Sequence, residues 1–474
     1  SGGPVKSSGK ALPTEKTERK RAIGNAFMEN GKRSGRTKPD SIARDVDILE
    51  IRDNHRRMID SRNPKIGSPR NLFVQSASVT VATLFGLVAV VQVGCEKASE
   101  ERGEGPGAAT ETPAVERDWP LFRGDAEMRG FTEEILTAPL KVAWNFAPPV
   151  DEGKRRPPID ASPVIAGGRV FVGSQDGNFY AIDLKTGASI WTFKAEGPII
   201  APAAVLGDRV FFGDTYGFVY ALGAADGKEA WRFETEGKIE GGINTLTLDG
   251  QPDRIFVGSH DFFLYCLNAA SGEVLWKHET GNYVVATPSM VRSADGGIDL
   301  TFGGCDGLLH VLPAKGEGAK REIEIGAYVA NTSAVRDGIC YVAHNGGEVV
   351  AIEITSGETV WKTKTGIEYT ASPAVDEKRV YVAGPDKRLV AYDRVTGEEV
   401  WAFVAPRALS SSPLISGDLI WQGGMDGRLY AVKREDGTES WNYDLGTQIK
   451  ASPAASRGTL VVCGEDGVVY AFAK

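Results

Sequence analysis

One unit recurs along most of this chain after residue 140. It reads most clearly over residues 161–193, ASPVIAGGRVFVGSQDGNFYAIDLKTGASIWTF. Four short apolar segments, ASPVIA, RVFVGS, NFYAID and SIWTF, are separated there by Gly-Gly, Asp-Gly and Thr-Gly turn signals. In six copies a Gly stands four residues before a Trp: Gly187 and Trp191, Gly227 and Trp231, Gly272 and Trp276, Gly357 and Trp361, Gly397 and Trp401, Gly437 and Trp441. From Trp191 onward these Trp residues lie 40, 45, 85, 40 and 40 apart, and the interval of 85 spans a degenerate copy, residues 303–325, that has lost its Trp. Four strands repeated every ~40–45 residues is the period of a propeller blade.

A propeller must close, because a bare strand edge invites association with other chains. The last copy stops at Lys474 after VVYAF, with no fourth segment, whereas LKVAWNF at residues 140–146 is a Trp-bearing fourth segment with no copy before it. Joining the two gives an all-β, eight-bladed propeller of four-stranded blades, its ring closed by an N-terminal strand completing the last blade. The first strands are expected to begin near Ala161, Ala201, Ile243, Ala286, Asn331, Ala371, Ser411 and Ala451. Pro163, Pro202, Pro288, Pro373, Pro413 and Pro453 fall inside these first strands, which marks them as the inner edge facing a central channel.

The DG..YA.d..tG...W unit over about residues 144–474, and the lead-in DWPLFRGD from Asp118, resemble the pyrroloquinoline-quinone-like repeat propellers. Two functional classes of that family follow as expectations. One is the periplasmic oxidoreductases that bind pyrroloquinoline quinone with calcium over the channel, beside a disulfide between adjacent cysteines. The five cysteines here, Cys95, Cys266, Cys305, Cys340 and Cys463, include no adjacent pair, and the last four suit small buried apolar positions. The other class binds proteins and includes the lipoprotein propeller of the outer-membrane β-barrel assembly complex, which the present plan resembles more closely. The resemblance thus implies a non-catalytic scaffold with envelope proteins, among them a β-barrel assembly machine, as partners and no cofactor.

Charge and hydropathy divide the chain ahead of the repeats. Residues 1–70 hold 17 Lys and Arg against 9 Asp and Glu, a formal +8; with −9 overall, residues 71–474 carry −17. An acidic body lacks the basic face that nucleic-acid binding requires. Residues 71–95 contain no charge and are mostly apolar, which fits either a membrane-spanning helix of roughly 20 residues or the core of a secretory signal. Arg62, Lys65 and Arg70 flank this run on the side that both readings expect. Its end, VQVGCEK, resembles a lipoprotein processing site with Cys95 as the lipidated residue, although Gln92 departs from the usual aliphatic residue there. The basic segment 1–70 is expected to be disordered or not translated ahead of a signal or membrane segment at 71–95, and Met58 opens a better-shaped signal than Ser1, which places residues 1–57 outside it. Residues 96–117, charged and rich in Gly, Ala and Pro, read as a flexible tether to a propeller over 118–474. The expected location is extracytoplasmic, on the periplasmic face of a bacterial membrane, held by an N-terminal anchor.

No HExxH, CxxC, P-loop or GxSxG occurs. His260 and His344 fall in turns before third strands, His310 stands where other copies have Tyr, and the Trp series reads as inter-blade packing. Asp176, Asp306, Asp426 and Asp466 precede Gly in hairpin turns, and Arg123 to Asp125 form an RGD expected at the surface. No catalytic, cofactor or metal residues are assigned. The candidates for function are the departures from the repeat: Phe262 and Phe263, where other copies have a Gly and a polar or small residue, and Tyr283, Tyr328 and Tyr369, just before three consecutive first strands. Together these five are expected to line a partner-binding edge. Asp160 and Lys450, at equivalent places in the first and last blades, are candidates for the channel mouth.

Overall fold

Each copy folds as an antiparallel meander because its glycine pairs supply the positive φ that tight hairpins require. Gly168 and Gly177 in the first copy, for example, sit at φ 72° and 79°. In a computed structural model, residues 118–293 and 296–474 are described, and the strands among them form eight sheets. We number these as blades 1–8 by their inner strands: Val164–Ala166, Ala204–Leu206, Asn244–Leu246, Ser289–Arg292, Ala334–Arg336, Ala374–Val375, Leu414–Ser416 and Ala454–Ser456. Cys95, and with it residues 1–117, lies outside the described residues.

The ring closes as the sequence requires. Lys141–Phe146 pairs antiparallel with Val469–Ala473, with Trp144 opposite Ala471, and becomes the outer strand of blade 8. Neighbouring inner strands lie side by side around the ring, that of blade 8 beside that of blade 1. The second and third strands of a blade, such as Arg169–Gly173 and Asn178–Asp183, are buried nearly throughout because another blade covers each face. Outer strands such as Ser189–Lys194 alternate between exposed and half-buried residues.

The glycine–tryptophan rhythm is an inter-blade device. Six of the indoles, those of Trp144, Trp191, Trp231, Trp276, Trp361 and Trp401, lie over a glycine of the next blade: a Cβ added to Gly187 would stand 2.7 Å from the Trp144 ring, and one at Gly227 2.6 Å from that of Trp191. The indole N–H also donates into the next blade, from Trp144 to the Leu184 carbonyl at 2.8 Å and from Trp361 to that of Arg394 at 2.9 Å. Blade 4 has no Trp, yet the bond survives. Arg321 occupies the position and its guanidinium donates to the Ile354 carbonyl at 2.6 Å.

Two expectations shift. The prolines do not lie inside the inner strands but before them, Pro163 ahead of Val164 and Pro413 ahead of Leu414. A residue without an N–H fits that approach, where the proline carbonyls are used as acceptors. The RGD is not at the surface either. Arg123 is buried and donates to the carbonyls of Pro373 and Pro413.

That arginine belongs to a segment, residues 118–136, which crosses one end of the channel and touches every blade. Trp119 exchanges backbone bonds with Ile165, and the carbonyls of Pro120, Glu127, Arg129 and Gly130 accept from Val205, Val335, Val375 and Ile415. The Ala126 carbonyl accepts from Met290 and from the Asn244 side chain. Phe131 and Thr132 add a short parallel strand to the inner edge of blade 7, and Glu134 accepts from Gly458 of blade 8.

Candidate functional site

The end of the channel away from this segment is the open mouth. One residue per blade lines it: Asp160, Ile200, Glu240, Val285, Ala330, Thr370, Ser410 and Lys450. Both residues expected there, Asp160 and Lys450, are present and adjacent across the blade 8–blade 1 seam. Deeper in the channel, hydroxyls form a belt in which a backbone N–H of one blade donates to a side chain of the next. It runs from Gly242 to Thr287, Thr287 to Thr332, Thr332 to Ser372, Ser372 to Ser412, Ser412 to Ser452 and Ser452 to Ser162, at 2.9–3.1 Å. The belt breaks at Pro202, which has neither group, and Phe122 of the crossing segment enters beside Gly242.

Charged residues at the mouth are paired within their own blades with the turn between second and third strands. Gln175 donates to Asp160, His260 Nε2 lies 3.0 Å from the Glu240 carboxylate, and Lys450 pairs with Glu465. Burial, with the neighbouring Glu465, raises the Asp160 carboxyl above the usual carboxylate range. The bond from His260 holds Glu240 below it. Gln175 and Glu465 escaped the sequence reading, which took His260 only as a turn residue; aligning the copies position by position, rather than searching for motifs, would have found these pairs.

The five rim candidates do not behave alike. Tyr283 is 43% exposed and stacks on His260, with ring centroids 4.5 Å apart, while Phe262 is 40% exposed and lies 5.4 Å from the same tyrosine. Tyr328, at the same position of the next blade, is 48% exposed. Phe263 is half-buried, with the Lys277 ammonium 3.9 Å from its ring centroid. Tyr369 corrects the expectation: it is 3% exposed and packs in the core between blades 5 and 6. It stands one position beyond the Tyr283 site, where the other blades place Ile159 or Val284, so its ring turns inward.

Phe262 has φ +75° at a turn position where blade 1 has Gly177 and blade 7 has Gly427. A non-glycine residue there costs roughly 1–2 kcal/mol, a strain that points to a role outside packing. Phe262→Gly is therefore expected to raise stability by about 1 kcal/mol while weakening partner binding. Urea denaturation beside a binding assay checks both, and a destabilised variant would contradict the strain assignment.

His260 remains in the turn, but His344 is the buried last residue of its strand, Ile339–His344. In blade 5 the repeat's turn Asp and third-strand Tyr have become Gly346 and Val350, which leaves a cavity of about 450 Å³ lined by His344, Glu348 and Lys362. His344 Nδ1 accepts from the Gly346 N–H at 3.1 Å, and Nε2 lies 3.4 Å from Glu348. Burial lowers the pKa of His344 and of His278 below the ordinary imidazole value of 6.5. A group depressed in this way contributes stability above pH 6.5 that is lost as pH falls, because the unfolded chain binds the proton first. His344→Ser is expected to flatten the loss of stability between about pH 7 and 5; equal slopes in wild type and variant would show that this imidazole is not the source.

Cys266, Cys340 and Cys463 are buried as expected, whereas Cys305 is half-exposed in the turn of blade 4; all four are free thiols.

A family model described as outer membrane protein assembly factor BamB matches residues 141–282, 316–420 and 403–474. Among solved structures, BamB from Moraxella catarrhalis matches with TM-score 0.59 at 20% identity, over 71% of this chain and 98% of that one. The quinohemoprotein alcohol dehydrogenase of Comamonas testosteroni matches with TM-score 0.63 at 15% identity, over 75% and 81%. A europium-containing methanol dehydrogenase gives 0.61 at 14%, over 76% and 98%. At such identities these structures share the fold. No curated protein sequence matches significantly.

Proposed function

Because this chain belongs to the pyrroloquinoline-quinone-like repeat propellers, in the family described as outer membrane protein assembly factor BamB, we propose that it is a non-catalytic scaffold that binds proteins of the bacterial cell envelope during outer-membrane protein assembly. On this reading the propeller is held at the periplasmic face of a membrane by an anchor ahead of residue 118, with Cys95 as the attachment point. The observation that carries the reading is the exposed pair of Phe262 and Tyr283, with Tyr328 exposed at the equivalent position of the next blade. Rigid aromatic anchors of this kind dominate protein interfaces, and a stable interface needs only about 800 Å² on each partner.

The quinone cofactor of the dehydrogenases with this fold does not fit the channel. Lys450 is the sole cation among its lining residues and is paired with Glu465, while Asp160 and Glu240 bring negative charge to the mouth where the quinone's carboxylates would sit. The cavity is about 180 Å³, against the ~300–1,000 Å³ of small-molecule sites. Calcium takes roughly 6–8 oxygen ligands, and the lining offers two carboxylates, both already hydrogen-bonded.

The test is photo-crosslinking from position 283 in intact envelopes, followed by identification of the adducts. Adducts with an outer-membrane assembly component support the scaffold. Adducts confined to unrelated abundant proteins, or quinone-dependent dye reduction by the purified protein, overturn it.

A further inference from the structure

At four of the eight seams an aromatic residue of the outer strand meets a Tyr of the third strand of the next blade. The pairs Phe146 with Tyr180, Phe193 with Tyr220, Phe233 with Tyr265 and Phe403 with Tyr430 have ring centroids 5.1–5.5 Å apart. At the seam between blades 3 and 4 both partners are imidazoles instead, His278 and His310, with centroids 5.4 Å apart. We propose that this seam is a binding site for a divalent transition-metal ion, with His278 Nε2, His310 Nδ1 and the Glu322 carboxylate as ligands.

The geometry supports the assignment. His278 Nε2 and His310 Nδ1 are 3.4 Å apart. Two ligands of a tetrahedral zinc ion at ~2.0–2.1 Å stand about 3.3 Å from one another. Glu322 Oε1 is 3.8 Å from His310 Nδ1, and all three ligand atoms lie within 4.8 Å of one another. Both histidines are buried, while the Glu322 side chain is 54% exposed, so it is free to close on an ion and gives solvent access to a fourth ligand.

The surroundings fix the required tautomer of His310. Asp306 accepts from His310 Nε2 at 2.9 Å, which leaves the Nδ1 lone pair facing the site. A carboxylate on the far nitrogen of a ligating histidine is the usual outer support of such sites. His310 also stacks on Phe302, with centroids 5.0 Å apart, and its position is thereby set before any ion arrives. Lys320 Nζ lies 3.5 Å from His278 Nδ1 and opposes a cation, but it is an exposed side chain able to turn away. Imidazole and carboxylate ligands select zinc and its neighbours over magnesium.

The experiment is titration of the EDTA-dialysed full chain with zinc by calorimetry, and with cobalt for its visible absorption, using magnesium as the control. One equivalent of zinc is expected to bind and magnesium is not. The double variant His278→Phe/His310→Tyr restores the repeat's own aromatic pair and is expected to keep the wild-type fold while losing this zinc equivalent. Asp306→Asn keeps the turn and should weaken binding about 10–100-fold, and Lys320→Gln should tighten it. Absence of zinc binding, or binding that persists unchanged in the folded double variant, would overturn the site, leaving His278 and His310 as a hydrogen-bonded pair only.

Discussion

Deleting residues 118–147 is expected to abolish cooperative unfolding. The deletion strips the outer strand from blade 8, exposing the edge of Val469–Ala473, and a bare edge of that kind pairs with other chains. It also removes Trp144, 9% exposed and seated over Gly187; losing such a side chain alone costs ~3–5 kcal/mol. The crossing segment disappears as well, with the backbone bonds that Trp119, Pro120, Glu127, Arg129 and Gly130 make to blades 1, 2, 5, 6 and 7. Against a total stability of ~5–15 kcal/mol, the sum leaves no stable ring. Gel filtration and urea denaturation followed by tryptophan fluorescence check this. An unchanged midpoint and slope would mean that neither the strand nor the segment holds the propeller shut. Trp144→Ala is the milder version, expected to unfold cooperatively but at lower urea.

The second large effect concerns recognition. Phe262→Ala with Tyr283→Ala is expected to reduce partner capture by about 30-fold or more, the equivalent of a single ~2 kcal/mol hot spot. The two effects will not simply add, because the rings lie 5.4 Å apart and share a partner surface. Both side chains are substantially exposed and outside the blade cores, so the double variant should retain the wild-type thermal midpoint. Tyr369→Phe serves as a control: its ring is buried, and capture should be unaffected. Wild-type capture by the double variant would remove the mouth-face aromatics from the interface and with them the main support for the scaffold reading.

The fold was legible because its determinants are local and repeated. Glycine pairs set the hairpins, two continuously apolar segments per copy made the buried middle strands, and the missing last segment matched the surplus one around Trp144. Where a residue acts through something distant in sequence, the linear text gave no sign. The RGD looked like a surface tripeptide, yet Arg123 reaches carbonyls 250 and 290 residues away. Arg321 looked like the loss of a Trp, yet it restores the same bond to the next blade. Tyr283, Tyr328 and Tyr369 formed one group by their place before first strands, but an offset of a single position turns Tyr369 into the core.

Sequence alone determined the number of blades, the strand order and the closure, since each follows from counting copies whose hydrogen bonds are made between neighbouring strands. Only the tertiary structure decided which departures from the repeat meet. His260 comes to Glu240 within its own blade, whereas His260 meets Tyr283 and His278 meets His310 because the packing of neighbouring blades sets each outer strand and turn against the next copy, some 20–40 residues away. The repeat hides those meetings, because it places chemically different residues at equivalent positions and leaves their contacts to the seam between blades.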